Sequence, residues 1–100
     1  MAELNLNGRT KVKTLKAEFK KNWNATLRVY NGSRFADDDA TLASIRAEGA
    51  KGGELAVKGN MQVGNFEKKV AEMYGIGVQV ANADDSALAD NAVTLVAAGK

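Results

Sequence analysis

The side chains best suited to chemistry in this chain are cations. Arg9, Lys11, Lys13, Lys16, Lys20, Lys21, Arg28 and Arg34 all fall in the first 34 residues, against two glutamates, a net charge of +6. The remaining residues hold six Lys/Arg against ten Asp/Glu, a net of −4. Such polarity steers a polyanion or attracts the acidic part of another molecule. On a phosphate backbone the affinity would come from counterion release and fall steeply with salt. The acidic counterpart is concentrated in Asp37-Asp38-Asp39, with Asp84-Asp85 and Asp90 further on. Carboxylates suit calcium or magnesium, but the spacing fits no EF-hand loop, so no metal is expected and Asp37, Asp38 and Asp39 stand as an acidic contact surface.

What is missing narrows the function further. The chain contains no histidine and no cysteine, which removes the commonest general base, the commonest transition-metal ligand and the strongest nucleophile. Ser33, Ser44 and Ser86 therefore have no histidine to activate them. Gly49-x-x-Gly52-Gly53 leads into an apolar alternation that reads as a strand, so its amides would lack a helix dipole for phosphate binding. A non-enzymatic protein without cofactor is expected. With no cysteine and no basic-apolar leader in Met1-Ala2-Glu3-Leu4-Asn5, the cytoplasm is the expected compartment. No apolar run reaches the roughly 18 residues a membrane span needs, so no membrane is expected.

The elements that must position these groups follow from periodicity. Glu3-Leu4-Asn5-Leu6-Asn7 alternates as a strand with one buried face, and Gly8 ends it. Leu15, Phe19 and Trp23 then recur every fourth residue among Lys16, Glu18, Lys20 and Lys21, an amphipathic helix for which Thr14 is the expected N-cap. Leu27 and Val29 alternate with Thr26, Arg28 and Tyr30 in a second strand, and Asn31-Gly32 supplies the turn after it. Asp39 would cap a short helix carrying Leu42 and Ile45.

A shift of 51 positions lays Glu3-Leu4-x-Leu6-x-Gly8 on Glu54-Leu55-x-Val57-x-Gly59, and Val12, Phe19, Trp23 and Leu27 on Val63, Val70, Tyr74 and Val78. At a shift of 53, Phe35-Ala36-Asp37 lies on Leu88-Ala89-Asp90 and Thr41-Leu42 on Thr94-Leu95. Asn65 is the expected cap of the second helix, Gly75 its left-handed terminus, and Val93 to Val96 a closing strand. The chain is read as one domain, residues 1–100, made of two repeats at about 3–46 and 54–97 joined by the small, glycine-rich stretch 47–53.

Strand–helix–strand twice over predicts an α+β two-layer sandwich, two helices on one face of a mainly antiparallel sheet, as in ferredoxin-like folds. An alternative comes from Leu27 to Gly32, Phe35, Asp37 to Asp39, Thr41-Leu42, Ile45 and Leu55 to Val57, which together resemble the second half of a ubiquitin-like β-grasp. The sheet's open face would present Asn5, Asn7, Arg28, Tyr30, Ala56, Lys58 and Gln79, with Tyr30 its only aromatic. RNA-reading sheets carry more than one. The expectation is a non-enzymatic interaction or assembly module that binds a protein partner or itself. Its contact residues are Arg9, Lys11, Lys13, Lys16, Lys20, Arg28 and Tyr30, and nonspecific nucleic-acid binding through the same basic half is the alternative.

Overall fold

Val12, Leu15, Phe19 and Trp23 are all buried, and their spacing runs down one side of a single helix, α1 (Val12–Trp23). The matching set Val63, Phe66, Val70 and Tyr74 lines α3 (Val63–Tyr74). The two apolar stripes meet, with the Phe19 and Phe66 ring centroids 5.0 Å apart, and Trp23 meets Phe19 edge-on at 4.9 Å. The computed structural model describes residues 3–100. Met1 and Ala2, part of the N-terminal segment expected to lack a leader and of the expected domain, lie outside the described residues.

Around these helices the strands of the described residues sort into two antiparallel sheets. β1 (Glu3–Leu6) pairs with β4 (Leu55–Lys58). β2 (Thr26–Asn31) lies between β3 (Arg34–Phe35) and β5 (Gly77–Ala81). Two short helices, α2 (Leu42–Ile45) and α4 (Leu95–Ala98), complete a compact α+β domain with a Cα radius of gyration of 12.2 Å. The single sheet expected from the double strand–helix–strand pattern is thus divided. The residues assigned to one open face belong to two, Asn5, Ala56 and Lys58 to β1–β4 and Arg28, Tyr30 and Gln79 to β3–β2–β5. No helix among the described residues is long and apolar enough to cross a membrane.

Three expected helix starts move, two of them for one physical reason. Thr14 does not cap α1, and Asn65 does not cap α3. The N-cap positions are Lys11 and Gln62, both extended and neither making a side-chain cap bond. The first-turn amides, which have no partner within a helix, find backbone carbonyls from a segment far along the chain. Val12 and Lys13 N–H donate to Ala40 and Asp38 O, and Val63 and Gly64 N–H to Val93 and Asn91 O. With the amides satisfied at long range, each helix begins three residues earlier than a local side-chain cap would allow. Asp39 likewise does not cap α2. Thr41 does, accepting from Ser44 N–H at 3.2 Å. Thr94 caps α4 in the same way through Ala97 N–H, so the strand expected over Val93 to Val96 is instead a cap and a helical turn.

The helix ends follow the local rules. Asn24 and Gly75 are both left-handed, with φ of 59° and 68°, the conformation that closes a helix when its last carbonyls need donors. Between β2 and β3 the two-residue loop Gly32-Ser33 has a positive φ at Gly32. That turn keeps the hairpin twist and places Phe35 directly across from Tyr30.

Candidate functional site

The acidic turn and the basic helix, expected to seek partners elsewhere, meet within the molecule. The carbonyls of Asp38 and Ala40 cap α1, so the turn lies against the positive end of that helix. Lys13 Nζ reaches Asp39 Oδ1 and Lys16 Nζ reaches Asp38 Oδ1, each at 2.9 Å. The hydrogen bond from Lys13, and then its charge, hold the Asp39 carboxyl below the usual carboxylate range, and the same contact raises the Lys13 ammonium. Asp37 turns inward on its own turn, its Oδ1 accepting from Asp39 N–H at 2.9 Å, and Asp90 does the same with Ala92 N–H. The three aspartates therefore do not converge on one point. Among the described residues no group of three or more acidic side chains is gathered as a metal ion would require.

The other cations are dispersed. Lys20 Nζ donates to Ala83 O at 2.6 Å and Thr26 Oγ1 at 3.1 Å. Arg9 and Lys11 are exposed, on the turn before α1 and at its cap. Arg28 lies on β2, where its Nε and Nη2 both stand 2.8 Å from Asp85 Oδ1. Its hydrogen bond to the Asp85 carboxylate, which accepts, raises the Arg28 guanidinium above its ordinary value. The seven expected contact residues fall into separate groups: Lys13, Lys16 and Lys20 along one side of α1, and Arg28 and Tyr30 on the same side of β2.

The surface that Arg28 and Tyr30 share is the outer face of β3–β2–β5. Leu27, Val29, Val78 and Val80 point into the core, so by strand alternation Thr26, Arg28, Tyr30, Gly77 and Gln79 point outward, whereas Ala81 on that same side is fully buried. The Tyr30 ring lies over Gly77 and stacks on Phe35 with centroids 5.0 Å apart and planes at 22°. Tyr30 Oη donates to Gln79 Oε1 at 2.8 Å. At the opposite edge Leu88 bridges Ala81. Phe35 is 67% exposed and Leu88 50%, the large apolar side chains left open among the described residues. Ala81 and Leu88 occupy the places that Tyr30 and Phe35 hold on the other side of the sheet.

Phe35, Leu88, Asp85 and Gln79 were not among the expected contact residues. For Phe35 the signal was available: a two-residue turn after Asn31 sets Arg34 opposite Asn31 and Phe35 opposite Tyr30. For Asp85 there was none, because it reaches Arg28 only through the long-range pairing of β2 with β5.

No cavity is enclosed among the described residues. No protein-family model, curated protein or solved structure matches this chain.

Proposed function

We propose that the protein is a non-enzymatic, cytoplasmic interaction module that self-associates face to face through the outer surface of β3–β2–β5. The observation that carries this reading is Phe35, two-thirds exposed on a sheet whose opposite side is fully packed. Leu88 provides a second anchor at the far edge.

Two features favour a second copy of the chain as the occupant. The polar groups at the centre of the face are already partnered, Tyr30 with Gln79 and Arg28 with Asp85. Covering them with an apolar surface therefore orphans few donors, and an unpaired buried group is what makes such burial costly. The face also carries an apolar anchor at each edge. A twofold axis in the plane of contact would bring both anchors of one molecule onto both anchors of its partner. The patch spans about three strand spacings by five residues, roughly 14 Å by 17 Å. That places the contact at the small, transient end of specific interfaces.

The charge-paired, head-to-tail association expected from the opposed halves has less support. Its best cations, Lys13 and Lys16, already face Asp39 and Asp38 of the same chain.

The test is a dilution series by two-dimensional NMR from about 1 mM to about 20 μM, the range in which weak dimers dissociate. Concentration-dependent amide shifts on Arg28, Tyr30, Phe35, Gln79 and Leu88 are expected. Spectra that do not change over the series, or changes confined to α1, would overturn the reading.

A second reading rests on the Tyr30–Phe35 stack itself, since paired aromatics on a sheet offer nucleobases a stacking platform. The cations at this face, Arg28 and the Lys20 that reaches Thr26, are already held by Asp85 and by Ala83 O, so protein contact ranks first. Shifts of the same residues on adding a short single-stranded oligonucleotide at low salt would reverse that order.

A further inference from the structure

Each sheet in this molecule joins a strand from before the glycine-rich stretch 47–53 to a strand from after it. β1 pairs with β4, and β2 with β5. At the middle of each ladder the facing residues are separated by the same interval. Asn5 faces Ala56 and Arg28 faces Gln79, in both cases 51 positions apart. The same interval relates α1 to α3, from Val12 and Val63 at their starts to Trp23 and Tyr74 at their ends. An antiparallel pair that meets at equivalent residues is what two copies of one strand make about a twofold axis. Two separate ladders meet that condition here.

The hydrogen bonds divide along the same line. Within the first half, Val12 N–H donates to Ala40 O, Leu42 N–H to Thr10 O and Ala43 N–H to Gly8 O. Within the second, Val63 N–H donates to Val93 O, Leu95 N–H to Met61 O and Val96 N–H to Gly59 O. Each half closes its own helix with its own loop. Between the halves stand the two ladders, the Phe19–Phe66 contact and side-chain bonds that include Lys20 to Ala83 O, Asn24 to Gly99 O, Arg28 to Asp85 and Tyr30 to Gln79.

We infer that the chain folds as a dimer of its own two halves, and that a second copy of the chain can supply either half. The exchange leaves every ladder intact. Residues 47–53 are the hinge, with Gly49, Gly52 and Gly53 all at positive φ. In the closed form the hinge is tied to the end of α3, Ala47 N–H to Tyr74 O and Gly52 N–H to Met73 O. A short linker holds its two ends at an effective concentration in the millimolar range. Refolding at micromolar chain therefore gives the closed monomer, and refolding near 1 mM gives exchanged dimer in comparable amount.

The absence of cysteine makes this measurable. Asn5→Cys with Ala56→Cys places two thiols on directly facing residues of one ladder, within disulfide range. The full-length variant is unfolded in urea, refolded at about 10 μM and about 1 mM, checked for native circular dichroism, then oxidised and run on a non-reducing gel. Interchain disulfide rising from a few per cent to roughly half is the expected result. Disulfide confined within single chains at both concentrations would overturn the inference. Arg28→Cys with Gln79→Cys repeats the test in the other ladder if the first variant does not fold. Adding Phe35→Ser leaves the exchange unchanged, whereas it removes docking through the sheet face, so the two proposals fail separately.

Discussion

Replacing Phe35 by alanine separates the surface proposed for association from the core that holds the fold. A phenylalanine side chain presents about 200 Å². With 67% of the residue exposed, about 130 Å² is open and about 65 Å² already buried. The buried part contributes about 1.6 kcal/mol at ~25 cal/mol/Å², an upper bound because the unfolded chain is itself partly compact. Stacking on Tyr30 adds roughly 0.5–1.5 kcal/mol. The variant should therefore lose about 2 kcal/mol of stability, against about 3–5 kcal/mol for truncating a fully buried ring such as Phe66. Association responds differently. Covering half the open area on both chains of a symmetric dimer contributes about 3 kcal/mol, so Phe35→Ala should weaken the dimer more than about a hundredfold. Urea unfolding reads the first number and sedimentation equilibrium the second. A folded variant whose dissociation constant stays within about threefold of the parent would refute the placement of the contact. Stability loss as large as that of Phe66→Ala would refute the description of the ring as peripheral.

The remaining predictions concern charge, pH and the hinge. Lys16→Glu combined with Lys20→Glu should lower the melting temperature slightly, by setting like charge beside Asp38. It should leave sedimentation unchanged, whereas loss of association would favour head-to-tail pairing of opposite charges. Glu67 is half-buried, and burial raises its carboxyl above the usual range even though Val80 N–H donates to it at 3.1 Å. A raised carboxyl favours the folded state when protonated, so this group's contribution is full below its ordinary pKa and declines as pH rises through the folded value. Glu67→Gln keeps the acceptor and should raise the melting temperature above about pH 6 while changing nothing near pH 3. An equal gain at both would remove titration as the cause. Asp39, held by Lys13, and Asp84, held by the hydroxyl and amide of Ser86, act in the opposite sense. Their contribution is present above the ordinary aspartate value and lost as pH falls through their lowered values. A Cβ at Gly75 would collide with the Ala47 methyl, and the residue sits at φ +68°. Gly75→Ala should therefore cost about 1 kcal/mol in backbone strain and a further 1–3 kcal/mol in overpacking. Adding Ala47→Gly should restore only the second part in urea unfolding, and full recovery would show that strain contributes nothing.

The sequence by itself determined the helices, the main strands and the inward-facing residues. Helical and strand periods are properties of neighbours in the chain, and the buried positions of α1 and α3 repeat at the spacing written in Leu15, Phe19 and Trp23 or Phe66, Val70 and Tyr74. It also determined the left-handed end at Gly75 and the turn at Gly32, because a positive φ is a local demand with few residue types to meet it. Tertiary structure alone decided where the two long helices, α1 and α3, begin. Carbonyls of Asp38, Ala40, Asn91 and Val93, more than twenty residues away, cap the first turns that Thr14 and Asn65 were expected to cap. It decided the sheets as well, since alternation fixes which face of a strand is buried but not which strand lies beside it. And it decided the fate of the charges. The excess of cations in the first third is plain from composition. That Lys13 and Lys16 pair with Asp39 and Asp38, while Arg28 pairs with Asp85 beside Tyr30, follows only once the acidic turn docks on the end of α1 and β2 pairs with β5. Electrostatic pairing acts through space, and the chain brings those groups together only by folding.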